Sequence, residues 1–123
     1  MNESPFFDDR EHLFENSIGF VIYDNFPVNQ GHSLIVPKRV YPNFFDSTKE
    51  EIEGLNELIF KTKEYLDKKF QPQGYNIGIN CGRVSGQTIG HVHIHLIPRY
   101  KNDVEDPRGG VRGVIPSKQK YND

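Results

Sequence analysis

The chain has 123 residues, the length of one ordinary domain and enough to bury a core without disulfides or a structural metal. Its 15 Lys and Arg against 17 Asp and Glu give a net charge of -2, which excludes the broad positive field that holds nucleic acid or an anionic membrane. The lone cysteine, Cys81, cannot form an internal disulfide, and no apolar run approaches the ~20 residues of a membrane span, so we expect a soluble cytoplasmic protein.

The first two predicted elements are strands. The runs IGFVIYD (18–24) and HSLIVPK (32–38) are rich in Ile and Val, which favour extended backbone. Between them lies NFPVNQG, whose Pro27 and Gly31 are typical of a turn. The pattern therefore predicts a pair of antiparallel strands.

A single amphipathic helix is predicted over residues 46–70. Ser47 followed three residues later by Glu50 has the pattern of a capping box, and Pro72 with Gly74 ends the helix. Apolar residues and one threonine recur at helical spacing, with Lys and Glu between them: Ile52, Leu55, Leu58, Ile59, Thr62, Tyr65 and Leu66.

Two more strands are predicted after the helix. YNIGIN (75–80) alternates in polarity, a glycine-rich loop follows over 81–90, and HVHIHLIP (91–98) is the last clear strand. Strands grouped around one helix indicate an α+β domain, with a mostly antiparallel sheet and one main helix packed on it. We expect a single domain over 1–123, with its core at about 18–99 and an irregular tail at about 100–123.

Three of the five histidines occupy every second position of the last strand: His91, His93 and His95. Alternation in a strand places all three on one face, and the apolar residues between them on the other. Each buried imidazole needs its own hydrogen-bond partner, and clustered imidazolium charges repel, so packing alone rarely selects such a row. The row indicates either a metal site or a catalytic imidazole.

The metal interpretation is limited by distance. Ligand nitrogens must lie within ~2.1 Å of the ion, whereas His91 and His95 are separated by about 13 Å of strand. A pair of the histidines with a third ligand such as His32 remains possible. The alternative uses the middle imidazole as nucleophile or base, because histidine has a free lone pair near neutral pH.

The motif HVHIHLI resembles the signature of the histidine-triad superfamily of nucleotide hydrolases and nucleotidyl transferases. The resemblance extends from Val21 to Arg99: Asp24, the GH at 31–32 and SLIVPKR (33–39) resemble one block, and Asn80 with GQT (86–88) resembles another. It implies the histidine-triad fold, a homodimer whose sheets join side by side, and a nucleotide substrate. Our best expectation for that substrate is a dinucleoside polyphosphate.

The same resemblance implies roles for individual residues. His93 attacks the α-phosphorus to form a nucleotidyl-histidine that water hydrolyses, while His95 donates to phosphate oxygens and His91 fixes the ring of His93. The other implied site residues are Gln87 and Thr88 at the phosphate or leaving group, Asn80 at phosphate, Asp24 at the ribose hydroxyls, Ile22 and Leu34 at the base, and His32 beside the triad.

The resemblance departs at the start of the chain. Many bacterial relatives begin with two cysteines that help bind a structural zinc, and SPFFDDREHLF (4–14) has none, so we expect no structural zinc. The covalent scheme needs no metal, because neighbouring donors can stabilise the phosphoryl charge, and we expect no cofactor. Two alternatives to the covalent hydrolase are a nucleotide-binding protein without turnover and a metal-dependent hydrolase that uses triad histidines with His32. The basic tail, with Arg112 and Lys120, either folds over the site or extends into solvent.

Overall fold

Five antiparallel strands and one long helix form the frame of the molecule in the computed structural model, which describes residues 4–121. The elements are β1 (Phe14–Glu15), β2 (Gly19–Tyr23), β3 (Ser33–Pro37), α1 (Lys49–Phe70), β4 (Gly74–Gly78) and β5 (Ile94–Arg99). The strands lie in the order β1-β2-β3-β5-β4, which confirms the predicted α+β class. No helix within residues 4–121 is long and apolar enough to cross a bilayer.

The two faces of the sheet carry separate apolar clusters. In the register of β3 and β5, Leu34 lies opposite His95 and Ile35 lies opposite Ile94. Successive residues of a strand point to opposite faces, so these two pairs lie on opposite faces of the sheet. The cluster between the sheet and α1 joins Val21, Ile35, Ile94 and Leu96 of the strands to Leu55, Leu58, Ile59 and Leu66 of the helix. On the opposite face, Phe20, Ile22, Leu34 and Val36 of the strands pack with Phe6 of the N-terminal segment, and His95 lies on this face.

The last strand is shorter than predicted. It begins at Ile94, so His91 and His93 lie in a stretch ahead of the strand ladder. The backbone N–H of Val92 donates to the carbonyl of Tyr41, at 2.9 Å, instead of to a neighbouring strand. Alternation still continues through this stretch, because Val92 and Ile94 are buried while His93 is partly exposed. The two-residue β1 was not predicted.

The helix begins one residue later than its predicted cap implies. Thr48, not Ser47, caps α1: its hydroxyl accepts from the N–H of Glu51, and the Glu51 carboxylate accepts from the N–H of Thr48. The reason is tertiary, since buried Glu51 also binds the Arg39 guanidinium through two contacts of 2.8 Å. The helix ends at Phe70, and its C-cap residue Gln71 has a left-handed φ of 55°.

The prediction that the C-terminal tail is irregular holds only in part. It contains short 3-10 turns at Gly110–Val114 and Pro116–Lys118, and the first of these packs against β4. Two of its cations are engaged within the tail: Arg112 donates to the carbonyls of Lys118 and Gln119, and Lys120 lies 3.5 Å from Asp106. The tail therefore lies beside the sheet instead of folding over the histidines.

Candidate active site

A cavity of about 530 Å³ opens on the sheet face opposite α1 and brings together most of the expected site residues. A larger cleft of about 970 Å³ lies between β4 and the tail and shares Val28 and Asn80 with it, but that cleft contains no histidine. The histidines therefore identify the smaller cavity as the candidate active site. Its expected lining residues are Asp24, His32, Leu34, Asn80, Thr88, His93 and His95.

One ring nitrogen of His93 is hydrogen-bonded to the backbone, and the other is available to a ligand. Its Nδ1 lies 2.8 Å from the backbone carbonyl of His91, and a carbonyl only accepts, so Nδ1 carries the proton. In the neutral ring Nε2 then holds a free lone pair. No described residue hydrogen-bonds to Nε2, and the ring lines the cavity. This is the tautomer that a nucleophilic imidazole requires.

His32 and His95 form a directed hydrogen bond. The backbone N–H of Val28 donates to His32 Nδ1, at 3.1 Å, so a neutral His32 carries its proton on Nε2. That proton is donated to His95 Nδ1, 2.9 Å away, which leaves the proton of neutral His95 on Nε2. Burial lowers the pKa of both rings, and that of His95 falls to about 4 with the help of the His93 and His32 charges. His95 is therefore a neutral donor at physiological pH.

Asp24 lies at the end of this pair. Its Oδ2 is 3.5 Å from His32 Nε2 and 4.0 Å from His95 Nδ1, while Oδ1 accepts from the N–H of Phe26. The side chain lines the cavity and is mostly buried, which suits a carboxylate that meets ligand hydroxyls.

These three side chains also form the one group within residues 4–121 whose donor atoms lie close enough together to share a metal ion. The hydrogen bonds oppose such use. A neutral imidazole offers one lone pair, and that of His32 already accepts from Val28, so Nε2 carries a proton where a metal would bind. The donor set as arranged fits a hydrogen-bond relay better than a metal centre.

His91 is set apart from the cavity. It is 1 % exposed, its Nε2 donates to the carbonyl of Pro37 at 2.7 Å, and its Nδ1 lies 2.6 Å from the hydroxyl of Ser4. Burial lowers the pKa of His91, which favours the neutral ring. His91 therefore contacts the site through its backbone carbonyl, which accepts a hydrogen bond from His93 Nδ1.

Two further expected residues do not line the cavity. Ile22 lies on the same face of the sheet as Leu34 but is fully buried beside it. The Gln87 amide ties the glycine-rich loop together: it donates to the carbonyls of Pro42 and Ile89 and accepts from the N–H of Gly82. Asn80 and Thr88 differ, because no described residue hydrogen-bonds to either side chain, and both face the cavity.

The N-terminal segment contributes a wall that sequence reasoning did not identify. Pro5, Phe6, Asp8 and Arg10 line the cavity, and the Phe6 ring lies 4.9 Å from the ring of His93. These residues are more than 80 positions from the triad, and no local pattern marks them. The contact depends entirely on tertiary packing.

Comparison with known proteins places this geometry in a family. Residues 8–102 match the family described as the HIT domain. The chain belongs to the HIT family. The resemblance of HVHIHLI to the histidine-triad signature is thereby confirmed.

Curated HIT relatives include both named enzymes and uncharacterised proteins. An uncharacterised HIT-like protein of Methanocaldococcus jannaschii is 42% identical over 93 residues, which cover 76% of this chain and 71% of that protein. The bis(5'-adenosyl)-triphosphatase of Dictyostelium discoideum is 38% identical over 96 residues, covering 78% of this chain and 64% of the enzyme. The match thus spans less than two thirds of that enzyme.

The fold is also that of solved HIT structures. The crystal structure of a HIT family protein from Bacillus anthracis superposes with a TM-score of 0.73 at 31% identity, covering 76% of this chain and 67% of that one. The five-stranded antiparallel sheet with one main helix is therefore the HIT fold.

Proposed function

We propose that this HIT protein cleaves nucleotides at the α-phosphate through a nucleotidyl-histidine intermediate on His93. The observation that carries the proposal is the hydrogen bond from His93 Nδ1 to the carbonyl of His91, which leaves the Nε2 lone pair open to the cavity. The best candidate substrate is a dinucleoside polyphosphate. The named activity of the Dictyostelium relative supports this class.

The first step is a displacement at phosphorus. His93 Nε2 forms a P–N bond as the bond from phosphorus to the leaving oxygen breaks, so a diadenosine triphosphate would release ADP and leave AMP on the ring. The ring gains positive charge in this step, and the His91 carbonyl stabilises it by accepting from Nδ1–H. Water then attacks the same phosphorus, breaks the P–N bond and releases AMP and a proton.

Neutral donors stabilise the charge on the phosphate oxygens. The Nε2–H of His95 has no acceptor among the described residues and lines the cavity beside His93. Asn80 and Thr88 add an amide and a hydroxyl to the lining of the same cavity. Donors fixed before the reaction need no reorganisation as charge develops, so they lower the barrier without a metal ion.

The remaining cavity wall suits the nucleoside. Asp24 accepts from the ribose hydroxyls in this proposal, and Leu34 contacts the base. Phe6 extends the apolar wall, while Ile22 supports Leu34 from the core instead of contacting the base. His32 acts through His95, and Gln87 shapes the phosphate loop.

We also propose that the protein is a homodimer joined through β4. This strand is the last in the sheet order, and its outer edge has no partner strand among the described residues. Ile77 on it is 51% exposed. An unpaired apolar edge is a template for a second strand. Light scattering on the wild type and on Ile77→Lys tests this, with a monomeric wild type contradicting it.

The test of function uses diadenosine triphosphate with and without a chelator, followed by denaturing mass spectrometry of the triad peptide. We expect turnover that survives the chelator and an adenylyl mass on the wild type, with neither in His93→Ala. His12→Ala is the matched control, because His12 lies outside the cavity and bonds to Glu15. Nucleotide binding without turnover would indicate a binding protein, and loss of turnover with the chelator alone would indicate a metal enzyme.

A further inference from the structure

The segment Ser4–Phe7 lies against the two histidines that precede β5. The Ser4 hydroxyl is 2.6 Å from Nδ1 of His91, and the Phe6 ring packs 4.9 Å from the His93 ring. The Phe7 ring completes the contact at 5.4 Å from His91. Ser4 and Phe7 have no role in the cleavage scheme above.

The polarity of the Ser4 contact follows from the surrounding groups. The Pro37 carbonyl only accepts, so His91 Nε2 carries the ring proton and the buried, neutral ring has a bare Nδ1. Ser4 Oγ already accepts from the N–H of Phe6, at 3.2 Å. Its own hydrogen therefore points to His91 Nδ1, which makes Ser4 the donor.

The His91 ring is one of few anchors for the backbone beside it. Residues 91–93 precede the strand ladder, and within residues 4–121 their one backbone hydrogen bond to a neighbouring segment runs from the Val92 N–H to the Tyr41 carbonyl. The bonds of the His91 ring to Ser4 and Pro37 fix the rest. They set where the His91 carbonyl lies, and that carbonyl selects the tautomer of His93.

We infer that Ser4 is a positioning residue, which fixes His91 so that the His91 carbonyl holds His93 with its Nε2 lone pair toward the cavity. The inference rests on the proposed function for its kinetic consequence. The tautomer of His93 is a consequence that exists without substrate. Ser4 itself is part of no reacting group, since its hydroxyl is committed to His91 and Phe6.

The experiment compares Ser4→Val with Ser4→Thr, which have nearly the same shape and differ in the hydroxyl. Ser4→Ala removes the hydroxyl with less bulk, and Ser17→Ala is a control at an exposed serine. Imidazole ¹⁵N shifts report the tautomer of His93, and diadenosine triphosphate turnover gives kcat and KM. Circular dichroism confirms that each variant is folded.

We expect Ser4→Val and Ser4→Ala to show a mixture of His93 tautomers and a kcat lowered roughly tenfold, the effect of about one hydrogen bond, with KM within twofold of wild type. Ser4→Thr and Ser17→Ala retain one tautomer and wild-type kcat. A single unchanged tautomer in both hydroxyl-free variants overturns the inference, whatever their activity. If the wild type has no turnover, the proposed function fails, and the tautomer comparison alone decides the role of Ser4.

Discussion

His32 Nε2 lies 2.9 Å from His95 Nδ1, and the direction of this hydrogen bond sets which nitrogen of His95 faces the cavity. The N–H of Val28 holds the other nitrogen of His32 as an acceptor, so the proton between the two rings belongs to His32. The backbone N–H of Val28, in the connection between β2 and β3, thus determines that His95 presents an N–H to the cavity. The histidine pair therefore links the connection after β2 to the proposed role of His95 on β5.

Replacing His32 tests this link. His32→Phe leaves His95 Nδ1 without a donor, so either nitrogen of His95 becomes free to carry the proton. We expect kcat with diadenosine triphosphate to fall roughly 10- to 100-fold, the scale of losing one hydrogen bond from His95 to a charged phosphate oxygen. His32→Gln keeps an N–H at the end of the side chain and should lose less. Equal kcat values for the two variants would contradict the directed bond.

The three shielded histidines make stability depend on pH. Burial lowers the pKa of His32, His91 and His95 in the folded protein, that of His95 to about 4, below the ordinary 6.5 of the unfolded chain. As pH falls below 6.5, the unfolded chain therefore binds protons first, and the free energy of unfolding decreases. Below about pH 4, His95 is protonated in both states and lowers the free energy of unfolding no further. By then it has lowered that free energy by up to about 3 kcal/mol.

Urea unfolding at pH 7, 6 and 5 measures this dependence above the range in which carboxylates titrate. His95→Gln serves as the comparison, because it cannot take up the proton in either state. The stability of the wild type should fall more steeply with acid than that of the variant. Parallel curves for the two proteins would rule out His95 as a source.

The capping box of α1 gives a stability prediction away from the site. Thr48→Ala removes the hydroxyl that accepts from the N–H of Glu51, so the protein should lose about 1 kcal/mol of unfolding free energy. Thr48→Ser retains the oxygen and should lose only a fraction of that. A Thr48→Ala variant with the midpoint of the wild type would show that the cap adds nothing.

The placement of this cap shows why sequence alone chose the wrong residue. Ser47 with Glu50 and Thr48 with Glu51 both satisfy the capping pattern, and local chemistry does not separate them. The bidentate contact of Arg39 with Glu51 decides, and it joins residues twelve positions apart. Helix, strands and fold class followed from periodicity because burial has a period that the sequence displays.

The histidine row was predictable in part for the same reason. Alternation correctly placed His93 and His95 on one side, where both line the cavity. It did not show that His91 is withdrawn from the cavity, since that depends on Ser4 and Pro37, which approach from distant parts of the chain. Roles that depend on such long-range partners leave no local pattern.

A glycine in α1 provides a test in which packing and helix propensity oppose each other. Gly54 lies in the helix interior, where alanine is intrinsically more favourable by about 1 kcal/mol. A Cβ at this position would lie 2.5 Å from Ile18 Cγ1 and 2.6 Å from Ile18 Cβ. We therefore expect Gly54→Ala to destabilise the protein, by about 1–3 kcal/mol, because the overlap outweighs the propensity.

The partner of this overlap can be removed. Ile18→Gly is required in place of Ile18→Ala, since the Ile18 Cβ is itself one of the overlapping atoms. In the Ile18→Gly background, Gly54→Ala should change sign and stabilise the helix, and thermal unfolding of the four proteins measures the coupling. Asn56→Ala, at an exposed position of α1, controls for propensity alone. If Gly54→Ala stabilises the wild-type background as well, then Ile18 and α1 have room to separate at this point, and close packing does not require the glycine.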